Sequence, residues 1–344
     1  MIASVSDHIL VLLALALDLS LGDPARFPHP VRLIGRLATA LEASAKVHPQ
    51  LDRRQVGYAS LILVTVLTGL VVQLLINLPR FNVLAWLYLA YAGLALGQLL
   101  REGGKVEAYV QAGDLPGARQ ALAMLVSRDT GHLDPEDLRR TLAETLSENF
   151  NDGFVAPLFY LILFGPVGLW VFKAVSTLDS MWGYKTPQYK ELGYAAAKAD
   201  DILGYVPARL TAGIMALVAA LAAPRVGEPA RGRANLLARL LGLDLPPLAP
   251  RLMHKIKTDA ARMESPNAGW PMAAAAWLCG AGMGGRAMYF GRPKHKPVLG
   301  PGGAWTRDKL RSLMRLMLVS GVLSAAILPW IWSLLCLGAR GGSW

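Results

Sequence analysis

Carboxylates and amides crowd the two ends of one apolar run. Glu148, Asn149, Asn151 and Asp152 precede Phe154–Leu178, Asp179, Ser180 and Lys185 follow it, and Asp200 and Asp201 stand just before the next apolar run. Charged groups at the entrance to a low-dielectric phase are costly, so they are candidates for chemistry as well as for helix termini. Glu144, Glu148 and Asp152 recur every fourth residue, which puts three like charges on one helical face. A divalent cation would relieve that repulsion, and Mg²⁺ typically takes one or two carboxylates plus substrate phosphates. The alternative is a solvated acidic face, partly offset by Arg139 and Arg140. The candidate metal ligands are thus Glu148, Asp152 and Asp179, and the candidate catalytic groups are Asp152, Asp179, Lys185, Asp200 and Asp201.

A second set has the chemistry of anion and amide binding. Lys173 lies inside the apolar run and is costly there unless paired, so Asp179 or another carboxylate is expected near it. Residues 21–37, LGDPARFPHPVRLIGRL, carry Asp23, His29, Arg32 and Arg36 among Gly22, Pro24, Pro28 and Pro30. The prolines argue against regular helix there, and a rigid turn bearing Arg and His suits a phosphate or carboxylate. Arg128 in SRDTGHL and Arg209 in YVPARL add phosphate candidates, while Asn149, Asn151 and Asn267 offer amides to a substrate.

The elements that must hold these groups are mostly membrane helices. Of the 344 residues 53% are hydrophobic and only 17% charged, against about 25% charged in soluble domains. Val56–Leu78 and Phe81–Leu100 are long enough to cross the hydrocarbon core and are joined tightly at Pro79-Arg80. Val206–Ala223 and Leu313–Leu337 are further spans, and Ile9–Leu21, interrupted by Asp18, is a short membrane segment that is retained. Phe154–Leu178 contains Gly165-Pro166, and reads either as one kinked span or as two half-helices folded back on each other. Ala112–Val126 and Pro135–Asn149 are amphipathic helices, the second capped by Asp134. The fold class is therefore all-α: a polytopic helical membrane bundle forming a single domain over 1–344, with extramembrane insertions at about 101–153, 224–266 and 286–312.

Several functions are excluded or disfavoured. No phosphate-binding P-loop, H-E-x-x-H, C-x-x-C or G-x-S-x-G motif occurs. Gly280, Gly282 and Gly285 match G-x-G-x-x-G but follow an Ala-rich run with no strand before it, which reads as close helix packing, and residues 289–303 read as a loop. Cys279 and Cys336 sit in apolar runs, against a disulfide framework or zinc site. The net charge of +11 suits anionic lipid and an anionic substrate. No basic tract interleaved with aromatic residues argues for nucleic acid.

LDLSLGDPARFPHPVRLIGRL, SRDT, SENFNDGFVAPLFY, KAVSTLDSMWGYK, the Asp200-Asp201 pair with YVPARL, SPNAGWP and YFGRPKHKPVLG follow one another in this chain. In that order they resemble the CobD/CbiB family, membrane-bound adenosylcobinamide-phosphate synthases of cobalamin biosynthesis. The resemblance runs from residue 17 to about residue 300. It implies an ATP- and Mg²⁺-dependent ligase of the inner (cytoplasmic) membrane. Such an enzyme joins adenosylcobyric acid, a corrinoid, to aminopropanol or its phosphate, with membrane lipid and other corrinoid-pathway proteins as partners. Ser176, Met263, Met272 and Pro301 depart from the resembled pattern, in which Asn, His or a polar residue, Glu and Asp are usual. These departures keep open an altered, non-catalytic relative acting as a sensor or scaffold.

Lys and Arg are concentrated in 101–153 and 224–266, so both segments are expected to face the cytoplasm. Cysteines substituted into either should resist a membrane-impermeant thiol reagent added from the periplasmic side. Ready labelling of either segment would overturn this topology.

Overall fold

The structure, a computed structural model, describes residues 5–24, 29–48, 50–184, 186–222, 236–289 and 291–340. The chain opens with α1 (Val5–Leu21), α2 (Pro30–Val47), α3 (Arg53–Ile76) and α4 (Asn82–Gly93). It continues through α5 (Leu96–Gln111), α6 (Leu115–Ala123) and α7 (Pro135–Phe150), then a π-helical turn at Asn151–Val155 that leads into α8 (Ala156–Trp182). After these come α9 (Tyr194–Leu203), α10 (Tyr205–Ala222), α11 (Leu236–Leu241), α12 (Leu252–Ala260) and α13 (Gly269–Cys279). A hairpin of β1 (Met283–Tyr289) and β2 (Arg292–Leu299) precedes the last helix, α14 (Arg307–Arg340).

Among the described residues, five helical stretches are long and apolar enough to cross a membrane: Arg53–Ile76, Asn82–Gln111, Pro135–Trp182, Tyr205–Ala222 and Arg307–Leu337. The protein is a polytopic helical membrane protein, as its composition requires. Exposed Ile62, Leu70, Leu74 and Leu84 give α3 and α4 the apolar surface that lipid solvates. The chain divides into two compact units, one made of 1–97, 152–205 and 325–344, the other of 98–151 and 206–324.

In the first unit α2, α3, α4 and α9 all pack on α8, or on helices that do, and α1 packs on α4. α3 and α4 form the expected helical hairpin, with Arg80 in the left-handed region at φ 68 supplying the tight turn. Two expectations about local structure change. The prolines of residues 21–37 do not forbid helix throughout, because α2 starts at Pro30 with His29 as its N-cap. Proline at the first helical position has no partner to lose and a preset φ. Arg32 and Arg36 therefore stand on a helix and not on a turn. The run Phe81–Leu100 is also not one straight helix. It breaks at Leu94, and the Ala95 N–H donates to the Gly153 carbonyl at 3.0 Å.

The two readings of Phe154–Leu178 are resolved in favour of folding back. Gly165 has φ 67 and ψ −163, outside helical space, and Pro166 follows it. Phe172 stacks on Tyr160, ring centroids 5.2 Å apart, whereas a straight helix would separate those residues by about 18 Å. The two halves of α8 thus lie against each other, and only glycine reaches this φ without strain.

In the second unit α13 packs on α7, with its alanines 273–276 fully buried, and α12 packs on α13. Helix α13 ends at Cys279, capped by Gly280 in the left-handed conformation. Gly282 and Gly285 then belong to the entrance of the hairpin, not to a packed helix, and the expected loop at 289–303 is largely strand. β1 and β2 are antiparallel, with Arg286 opposite His295 and a register shift between Met283 and Gly285. Gly284 sits at φ 86 against the Pro297 carbonyl, where any Cβ would overlap. Burial pushes the Cys279 thiol up to about 12, so it is no nucleophile at neutral pH.

Replacing Gly284 by Ala adds left-handed strain and a backbone clash, and should destabilise the protein by about 1–3 kcal/mol. Gly104→Ala, at a helical position with open space around it, should instead be neutral or raise stability by about 0.4–1 kcal/mol. Thermal unfolding in detergent measures both. Equal melting temperatures for Gly284→Ala and the parent chain would contradict the hairpin geometry.

Candidate functional site

Each unit carries a polar constellation built from the blocks singled out in the sequence. In the first unit the fold-back of α8 brings Asp152, at its entrance, into electrostatic reach of Lys173, together with Asp18 and Asp23. On a straight helix Asp152 and Lys173 would stand about 30 Å apart. Asp18 is buried on α1 and accepts from the Gly97 N–H at 2.9 Å. The carboxylate expected near Lys173, Asp179 or another, is supplied from elsewhere in the fold. The carboxylates around Lys173 are Asp152, Asp18 and Asp23, because folding back offers partners that sequence proximity does not. Asp179 lies further along α8, where its carbonyl accepts from the Gly183 N–H and ends the helix.

His29 joins this constellation. Its Nδ1 accepts from the Val31 N–H at 3.2 Å, capping α2. The Ala92 backbone, Asp23, Lys173 and Arg32 surround the ring, and Trp170 lies tilted at 6.1 Å between centroids. Burial is the largest influence on the imidazole and holds its pKa below the ordinary value, against the opposing pull of Asp23. A neutral ring is also what the cap demands, since a protonated Nδ1 cannot accept. A cavity of about 20 Å³, roomy enough for a water, lies among Asp23, His29, Tyr88 and Tyr91.

Asp200 and Asp201 sit on α9, Asp200 beside Tyr160 and Asp201 at 3.7 Å from Lys198. Neither is among the charges that surround Lys173. Lys185 lies outside the described residues.

In the second unit the hairpin is fastened by carboxylates. Glu144 on α7 accepts from the Gly284 N–H at 2.8 Å and pairs with the buried Arg128 guanidinium. Arg128 also donates to Thr141 and lies 5.8 Å from the centre of the Tyr289 ring. Burial pulls the Arg128 pKa down, but the Glu144 charge outweighs it and holds the guanidinium above its ordinary value. Asp129 accepts from the Gly291 N–H at the hairpin turn, and Asp259 from the Gly300 N–H at its far end, both at 2.9 Å or less. Arg128, which the sequence offers as a phosphate candidate, is thus engaged by Glu144 and Thr141.

Glu148, one helical turn beyond Glu144, has Lys296, Glu144 and Arg128 as its charged neighbours. It faces a cavity of about 170 Å³ lined also by Lys294, Lys296, Glu264, Met263 and Met272. Asn149 donates to Thr145 at 3.0 Å within its own helix, and buried Asn151 accepts from Thr211 at 2.9 Å. Asn267 accepts from Arg209 at 3.2 Å, and Arg209 lies over the Trp270 ring. The two side chains offered separately to substrate thus also hold the SPNAGW segment to α10. Among the described residues no three His, Cys, Asp or Glu side chains are grouped to hold a metal ion by themselves.

Asp18 was legible only as an interruption of an apolar run, although the rule that singles out Lys173 applies equally to it. The partner role of Glu144 was hidden because Arg128 and Gly284 are brought to it by tertiary folding.

A polytopic helical membrane protein with two buried charge constellations is the class that fold and site define. The CobD/Cbib protein family model matches residues 11–317, and the chain belongs to that family. It is 39% identical to the cobalamin biosynthesis protein CobD of Pelobacter propionicus, over 93% of this chain and 94% of that protein. It is 36% identical to the Geobacter metallireducens protein of the same name, over 84% and 85%, and 34% identical to that of Citrobacter koseri, over 92% and 94%. No solved structure matches it.

His29 gives a pH prediction. Its folded-state pKa lies below its ordinary value, so the folded chain binds fewer protons than the unfolded one. Stability from this group is full above about pH 6.5 and falls as the pH drops below it. His29→Asn keeps an N-cap without a titrating ring, and should flatten the fall in melting temperature between about pH 7 and 5. An unchanged slope would place the acid sensitivity elsewhere.

Proposed function

We propose that this chain is a cobalamin-biosynthesis enzyme of the inner (cytoplasmic) membrane. In this reading it joins the carboxylate of adenosylcobyric acid to aminopropanol, or its phosphate, in an amide bond, consuming ATP. Membership of the family and the names of its relatives support the pathway. The single observation that carries the chemistry is the Lys173 constellation: an ammonium in an apolar helix, faced by three carboxylates and a neutral imidazole, all assembled by the break at Gly165.

A carboxylate and an amine do not condense usefully in water. The carboxylate oxygen attacks the γ-phosphorus of ATP and ADP leaves, giving an acyl phosphate. The amine then attacks the acyl carbon, and inorganic phosphate departs with one of the original carboxylate oxygens. Phosphoryl transfer is served chiefly by positioning and charge neutralisation. Lys173 and Arg32 are the cations for the phosphates. Asp23 and Asp152 provide hard oxygen donors, which fits Mg²⁺ carried in by the nucleotide better than a cage of protein ligands. When bound, that ion neutralises negative charge on the phosphates. The buried faces of α4 and α8 keep water from the reactive acyl group.

Isolated membranes containing the chain should form the amide from adenosylcobyric acid, ATP and aminopropanol phosphate, and membranes without it should not. Asp152→Asn should lower kcat by about 10²–10³ while the protein stays inserted and folded. Asp179→Asn, whose carboxylate is not among those facing Lys173, should cost much less. Wild-type turnover in Asp152→Asn would show the constellation to be structural.

A further inference from the structure

The cavity of the second unit carries an inference of its own, which rests on the reaction proposed above. At about 170 Å³ it is well below the roughly 300–1,000 Å³ of a typical cofactor pocket and far above the roughly 30 Å³ of a water. A small molecule fits it. Its walls are divided by chemistry. On one side are Glu148, Lys294 and Lys296, and on the other the thioether side chains of Met263 and Met272.

The carboxylate of Glu148 is the telling group. Its neighbour Glu144 is fully engaged by Arg128 and the Gly284 N–H. Among the described residues, by contrast, no hydrogen bond or ion pair reaches Glu148, and Lys296 acts on it only at electrostatic range. A half-buried carboxylate without a contacting partner offers a bound ammonium a charge-assisted contact. Lys294 pairs with Glu264 at 3.0 Å at the exposed rim, and Lys296 lies over the Tyr289 ring, so two ammonium groups flank the same space. A ligand with an ammonium at one end, an anion at the other and a short carbon chain between them matches all three features.

We infer that this cavity seats the amine substrate. Glu148 takes its ammonium, Lys294 and Lys296 take a phosphate on its hydroxyl, and Met263 and Met272 read the carbon substituent. Met272 is 1% exposed, so it forms a packed wall rather than a mobile rim. It is a specificity-determining residue: one methyl group in an apolar pocket is worth about 10–200-fold in selectivity.

The test is calorimetric titration of the full chain in detergent with 1-aminopropan-2-ol phosphate and with ethanolamine phosphate, without ATP or corrinoid. The parent chain should bind the methyl-bearing compound about tenfold or more tightly than the other. Met272→Ala should bring that ratio towards one, and Glu148→Gln should weaken both compounds at least tenfold with the circular dichroism spectrum unchanged. Lys296→Met should weaken the phosphorylated amines while leaving free aminopropanol unaffected. Unaltered affinities in folded Glu148→Gln, or an unaltered ratio in Met272→Ala, would overturn the assignment. The two readings fail separately. If membranes form the amide but Glu148→Gln keeps its KM for the amine, the cavity is not the seat and the reaction stands. If the amine binds with the stated dependence and no amide forms, the seat stands and the reaction falls.

Discussion

An ammonium in the middle of an apolar helix has no solvent to turn to. Insertion measurements put the cost of a lysine at such a position at about 2.5–3.5 kcal/mol, and the chain meets it by bending. The break at Gly165 doubles α8 back, so that Asp152, Asp18 and Asp23 come within electrostatic reach of Lys173. Much of the first unit follows from this constraint. α1 must run where Asp18 reaches the constellation, and Gly97 must pass close enough to donate its N–H to that carboxylate. Tyr91 ties the end of α1 by donating to the Gly22 carbonyl at 2.6 Å. Trp170, buried on α8, donates to the Leu89 carbonyl of α4 at 3.0 Å and fixes those two helices together.

The second unit solves a different problem with the same material. A two-stranded hairpin alone is marginal in water, and this one is held at its open end by Glu144 and Asp259 and at its turn by Asp129. Arg128 neutralises Glu144, which would otherwise be a buried charge next to Glu148. The consequence is that Lys294 and Lys296 are held along a cavity where Glu148 has no contacting partner among the described residues.

What the sequence disclosed and what it withheld divide along physical lines. Apolar runs, the α3–α4 hairpin and the Asp134 cap with Pro135 are local or compositional properties, and all appear close to where they were read. Asp23, His29 and Lys173 were singled out for chemistry and do come together. Partnerships were not legible. Asp179 is near Lys173 in sequence but Asp152 faces it in space, and Arg128 and Arg209 are engaged by Glu144 and Asn267. The helix start at Pro30 was missed because proline was read as a breaker, when at a helix's first position it is an opener. The hairpin was missed because its glycines, with φ above zero, left no alternating apolar pattern to see. Met263 and Met272, distant by sequence logic from the acidic face of α7, share a cavity with Glu148.

In the proposed reaction ATP activates a carboxylate, and the amine displaces phosphate from it. Isotope transfer tests that claim most directly. Adenosylcobyric acid labelled with ¹⁸O in the reacting carboxylate is turned over with unlabelled ATP and aminopropanol phosphate, and the products are read by mass spectrometry. The account predicts one labelled oxygen in the inorganic phosphate and the other in the amide carbonyl. Phosphate free of label, with amide still formed, would contradict it.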